Sequence, residues 1–96
     1  MLTGKQKRYL RSLAERKPAI FQIGKEALSD NLIITVDNAL RKRELVKIKV
    51  LKNSPEDIQE LAFDLAMNTH SEIVQIIGHT FILYKEAENP KIILPR

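Results

Sequence analysis

A chain of 96 residues, 44% hydrophobic and 29% charged, has room for one hydrophobic core and too much apolar content for disorder. No stretch approaches the roughly 18 apolar residues of a membrane span, and Met1-Leu2-Thr3-Gly4-Lys5 lacks the apolar centre of a signal peptide, so a cytoplasmic protein with no membrane partner is expected. The absence of cysteine excludes disulfides, thiolate metal sites and a cysteine nucleophile.

Thr3 followed by Gln6 is a capping-box pattern and predicts a first helix from about Gly4 to Glu15. At about 100° per residue, Tyr9, Leu10, Leu13 and Ala14 share one face, while Lys5, Lys7, Arg8 and Arg11 crowd the other. That basic side faces either solvent or phosphate. Pro18 stops the helix, and Ala19 to Ile23 reads as a short, largely buried strand. Gln22 to Ser29 then reads as a strand end, a tight glycine-initiated turn carrying Lys25, and a helix cap. Such a junction gathers backbone N–H groups at the positive end of a helix, which suits a phosphate. Ser29 is a good N-cap with Leu28 and Ile33 at the staple positions, so a second helix starts at Asp30. Leu32, Ile33, Val36, Ala39 and Leu40 form its buried face. It ends in Arg41-Lys42-Arg43, where cations also simply suit the negative end of the dipole.

Leu45 to Leu51 alternates, with Val46, Ile48 and Val50 on one side and Lys47 and Lys49 on the other. This predicts a sheet covered by helices on one face and open to solvent or a partner on the other. Ser54 as N-cap, Pro55 at the first helical position and acids in the first turn predict a third helix. Ile58, Leu61, Ala62, Leu65 and Ala66 bury it, and it ends near Thr69. Its other face (Glu56, Asp57, Glu60, Asp64) is acidic. Ile73 to Ile77 and Thr80 to Lys85 form a hairpin across Gly78-His79, a type II′ signal. Residues 86–96 read as an extended tail that Ile92, Ile93 and Leu94 lay against the body. The order α-β-α-β-α-β-β predicts one α/β domain over residues 1–96, two-layered, with a mixed four-stranded sheet.

Enzymatic readings lack parts. His70 falls at a helix end and His79 in a turn, neither with partners at triad or metal spacing. Ser29, Ser54 and Thr3 are better caps than nucleophiles, and Gly24-Lys25 lacks the remaining residues of a P-loop. No catalytic residue, cofactor or metal is expected. Binding has more support. Residues 1–52 hold thirteen of the sixteen Lys and Arg against five acids, a net +8, whereas residues 53–96 carry a net −4. That split fits either an anionic partner or a solvated basic surface. Lys25 is placed to clamp a phosphate held by the N–H groups after Gly24, and Lys5, Lys7, Arg8, Arg11, Arg41, Lys42, Lys47 and Lys49 extend the surface. With aromatics at only 5%, contacts go to backbone and shape rather than to stacked bases.

Several separated segments, in order, resemble one family. They are Leu2-Thr3-Gly4-Lys5-Gln6, Gln22-Ile23-Gly24-Lys25, Leu45-Val46-Lys47-Ile48-Lys49-Val50, Ser54-Pro55-Glu56-Asp57, Val74-Gln75-Ile76-Ile77-Gly78-His79-Thr80, and Pro90-Lys91-Ile92-Ile93-Leu94-Pro95. Together they resemble the stand-alone CRM domain, the small RNA-binding module of bacterial YhbY-like proteins and plant organelle splicing factors. The resemblance implies a fold similar to the C-terminal domain of translation initiation factor three. It also implies an RNA-binding Gly-x-x-Gly loop and a role with precursors of the large ribosomal subunit. Gly24, Lys25, Glu26 and Ala27 fall on that loop, with Ala27 where the family usually has its second glycine. An extra methyl there works against a positive φ and against close approach of a phosphate. The expectation is therefore a monomeric RNA-binding protein that associates with pre-large-subunit ribosomal RNA. The alternative is a protein-interaction module docking on a ribosomal or ribosome-associated protein without touching RNA.

Overall fold

The computed structural model describes residues 1–96. In chain order the elements are α1 (Gly4–Glu15), β1 (Phe21–Ile23), α2 (Asp30–Arg43), β2 (Leu45–Val50), α3 (Ile58–Thr69), β3 (Glu72–Ile77) and β4 (Thr80–Tyr84). The capping box forms as its spacing requires: Gln6 N donates to Thr3 Oγ1 at 3.1 Å, and Thr3 N donates to Gln6 Oε1 at 3.0 Å. Ser29 Oγ accepts from Leu32 N at 3.1 Å and fixes the start of α2. The start of α3 differs from expectation. Ser54 Oγ accepts locally from Glu56 N, so Pro55 stays in a bend and Asp57 becomes the N-cap.

The four strands form one sheet in the order β1-β2-β4-β3. β1 runs parallel to β2, with Ile23 beside Val50, as the crossover α2 dictates. β4 pairs antiparallel with both β2 and β3. The crossover α3 does make β3 parallel to β2, but the returning hairpin strand β4 inserts between them, so these two are not neighbours. Gly78 has φ +58° and His79 keeps a negative φ, the combination a type II′ turn needs.

Alternation along the strands sorts the side chains onto two faces. Ile23, Val46, Ile48, Val50, Phe81 and Leu83 meet Val36 and Leu40 of α2 and Leu61, Ala62, Leu65 and Ala66 of α3. Full burial of each large apolar side chain here contributes about 1.5–3 kcal/mol. The opposite face is not left open along its length. Leu45, Ile82, Tyr84 and Val74 pack against Leu2, Leu10 and Ala14, with Ile92 and Leu94 of the tail beside them. The sheet therefore lies between α2 and α3 on one side and α1 with the tail on the other, giving three layers rather than two. Sequence periodicity marks α1 as amphipathic without saying which face of the sheet receives it.

The tail is anchored by a residue with no sequence signal. Glu44 ends α2 with φ +65° and is 1% exposed. Its carboxylate accepts from Lys91 N at 2.7 Å, Ile92 N at 3.0 Å and Ala87 N at 3.3 Å. Three amides replace the water this carboxylate gives up on burial. Lys85 makes a second tie: its Nζ donates to Thr69 O at 2.9 Å and to Asp37 Oδ1 at 3.1 Å, joining α3 to α2.

Candidate nucleic-acid interface

The parallel pairing of β1 and β2 brings three connections to one end of the sheet. Leu51 N donates to Ile23 O at 2.7 Å, and Val50 N donates to His79 O at 2.6 Å. The turn 24–27, the loop 51–54 and the hairpin 78–79 are thereby stitched into one rim. Within the turn, Ala27 N donates to Gly24 O at 3.0 Å, closing a four-residue turn. Lys25 and Glu26 lie exposed at its apex, and their backbone N–H groups have no acceptor within the protein. Unpaired N–H groups at an exposed turn are what a phosphate oxygen requires.

Gly24 and Ala27 serve the turn in different ways. Ala27 takes the positive φ, +54°, so its methyl disfavours that conformation without preventing it. Gly24 instead serves close approach, since a Cβ there would stand 3.3 Å from Asn53 Oδ1 and 3.4 Å from Leu51 Cδ1. Asn53 thus leans over the turn with its amide making no hydrogen bond, and Lys52 is exposed beside it. Sequence reading missed both residues. The available signal was their position directly after β2, because a parallel neighbour of β1 must end beside the Gly24 turn.

The other predicted residues fall into separate groups. Lys49 is exposed and lies in a row with Gln22, Thr80 and Ile77 on the uncovered part of the second face, beside the rim. Lys47, on the same face, reaches under α1, with its Nζ 3.5 Å from Ala14 O and 3.4 Å from Lys17 O. It supplies at long range the cation that the last turn of α1 lacks. Lys5 and Arg8 are exposed on α1, with Lys5 Nζ donating to Arg96 O at 3.2 Å, while Lys7 and Arg11 are half-buried. Arg41 and Lys42 sit at the far end of α2, about 17 Å along the helix from its N-terminus. Arg41 Nε also pairs with Asp37 Oδ2 at 3.0 Å. The fold therefore gathers the turn, Lys49, Lys52 and Asn53, and leaves Arg41 and Lys42 away from them. Salt bridges occur only at Asp37, so Lys25, Lys49 and Lys52 carry unneutralised charge.

Residues 2–85 match the model of the CRS1 / YhbY (CRM) domain. The chain belongs to the CRM domain family. Among its relatives is the Probable RNA-binding protein YqeI of Bacillus subtilis, 50% identical over 99% of this chain and 100% of that one. An RNA-binding protein of Haemophilus influenzae is 35% identical over 99% of this chain and 96% of its own. The solution structure of a candidate RNA-binding protein of Staphylococcus aureus superposes with a TM-score of 0.82 at 52% identity, covering 99% of this chain and 100% of that one. The rim, turn and uncovered sheet face of this CRM domain all lie within the matched residues.

Proposed function

We propose that this protein is a non-enzymatic RNA-binding factor acting in the assembly of the large ribosomal subunit. It works in the cytoplasm as a monomer that holds structured precursor ribosomal RNA. The turn Gly24–Ala27 takes a phosphate on the free N–H groups of Lys25 and Glu26 and on the Lys25 ammonium. Lys49, Lys52 and the basic side of α1 neutralise flanking phosphates. One observation carries this reading: unpaired backbone donors and unpaired cations meet on one rim, in a chain whose relatives are named RNA-binding proteins.

The test is Lys25→Glu. Charge reversal at the apex is expected to lower affinity for a structured ribosomal RNA fragment at least tenfold, read by filter binding. The thermal midpoint should hardly move, because an exposed turn lysine stays within about 0.5 kcal/mol. Unaltered binding would place the contact elsewhere.

A second reading, docking on a protein, has one surface in its favour. Phe63 and Met67 are 58% and 62% exposed on α3, flanked by Glu60 and Asp64 and next to the edge strand β3. A ribosomal partner that stays bound after nuclease treatment and is lost on Phe63→Ser would favour that reading.

A further inference from the structure

A cavity of about 190 Å³ opens where the C-terminal turn of α1 overhangs the edge of the sheet. Pro18, Ile20 and Leu45 give it an apolar floor, and Lys17, Arg43 and Lys47 bring three cations to its wall. No carboxylate lines it. By contrast, the hollows beside α3, beside Tyr84 and beside the 86–91 segment all include acids. The cations exceed what the local helix ends require. The C-termini of α1 and α2 each present about half a negative charge, so three full positive charges leave a surplus of about two. Lys47 is committed to the α1 carbonyls, whereas Lys17 and Arg43 are exposed and make no ion pair. Ile20, 37% exposed, offers a flat apolar surface beside them.

An apolar slot walled by free cations suits an anion that carries a ring. The volume falls below the roughly 300 Å³ of a drug-sized site, so it fits one nucleobase rather than an extended ligand. Geometry also links it to the rim. Ile20 to Gly24 is four residues of extended chain, about 13 Å, along the outer strand β1, with Gln22 and Lys49 on the intervening surface. We infer that this cavity receives a single unpaired nucleotide of the RNA bound at the Gly24 turn. The base lies on Pro18 and Ile20, above the buried Leu45, and the phosphate lies between Lys17 and Arg43. The inference rests on the RNA-binding reading and adds a demand of its own, that the bound RNA carry an extruded base.

The test combines methyl and arginine NMR of the full chain with four probes: adenosine monophosphate, inorganic phosphate, an RNA stem-loop with one bulged adenosine, and the same stem-loop fully paired. Adenosine monophosphate should shift the Ile20, Leu45 and Arg43 signals saturably, and phosphate should leave the Ile20 and Leu45 methyls unmoved. Ile20→Ser and Arg43→Glu should each lower affinity for the bulged stem-loop about tenfold. Ile20→Ser should leave the fully paired stem-loop unaffected, and unchanged thermal midpoints show that both variants fold. Equal shifts from phosphate and from the nucleotide would overturn the assignment. So would a bulged stem-loop that shifts the Ala27 methyl of the turn while the cavity stays silent, an outcome that leaves RNA binding standing. If neither stem-loop shifts any signal, both readings fall.

Discussion

Ala27 holds φ at +54°, a conformation that costs an L-residue about 1–2 kcal/mol. The cost persists because the turn is fixed on both sides, by its bond to Gly24 O and by the Ser29 cap that follows. A β-branched side chain fits this region worse than alanine does. Ala27→Val is therefore expected to destabilise the fold by a further ~1–2 kcal/mol, seen as a fall in thermal midpoint of about 4–8 °C for each kcal/mol. Ala27→Gly should leave the midpoint within a few degrees. Relief of the strained φ is offset by the greater freedom of the unfolded chain and by loss of a half-buried methyl. The residue pattern Gly-x-x-Ala made the turn legible. It did not show that the positive φ sits at the alanine and the close approach at Gly24, since the latter depends on Asn53, 29 positions along the chain.

At the scale of elements, legibility followed locality. Helix starts at Thr3 and Ser29, the periodic faces of α2 and α3, the alternation of β2 and the Gly78 turn all rest on residues within one turn of each other, and all appear in the structure. The face of α1, by contrast, is turned so that Leu10 and Ala14 are buried and Tyr9 is exposed. Ser54 failed as a cap because a nearer partner, Glu56 N, captured its hydroxyl. The tie between α2 and α3 was invisible because it joins Asp37 to Lys85, 48 positions away. That tie makes a pH prediction. Burial works to raise the Asp37 carboxyl, but hydrogen bonds and charge from Lys85 and Arg41 outweigh it and hold the group below its ordinary value. A depressed carboxylate stabilises the fold above its unfolded value, about 3.9, and this contribution is lost as pH falls through the lower folded value. Asp37→Asn should therefore unfold at lower urea than the parent at about pH 7, with the gap closing below about pH 4. A gap that persists at about pH 2 would assign the effect to packing instead.

For the whole molecule, charge segregation set the functional direction, and the fold then distributed that charge over distinct surfaces. The basic half does not act as one patch: Arg41 and Lys42 lie at the far end of α2, and Lys47 is tied beneath α1. The proposed RNA contact accordingly draws on few of these cations. With about five phosphates neutralised, the single-strand slope gives a loss of roughly a hundredfold between about 50 and 200 mM salt. A flat response measured by fluorescence anisotropy would mean that charge does not drive binding. The three-layer arrangement was beyond sequence reading for a related reason, since an amphipathic helix declares that it packs but not on what.

The Glu44 clamp sets an order of events in time. During synthesis this carboxylate is made 43 to 48 residues before the amides that will receive it. Until Ala87 to Ile92 exist, burying Glu44 would strand a charge, so water must keep the corner between α2 and β2 open. The sheet's α2 and α3 side contains none of those late donors and is free to condense first. Docking of the tail on this corner is therefore expected to come late in folding and to be lost early in unfolding, read as faster amide exchange at Lys91 and Ile92 than in the strands.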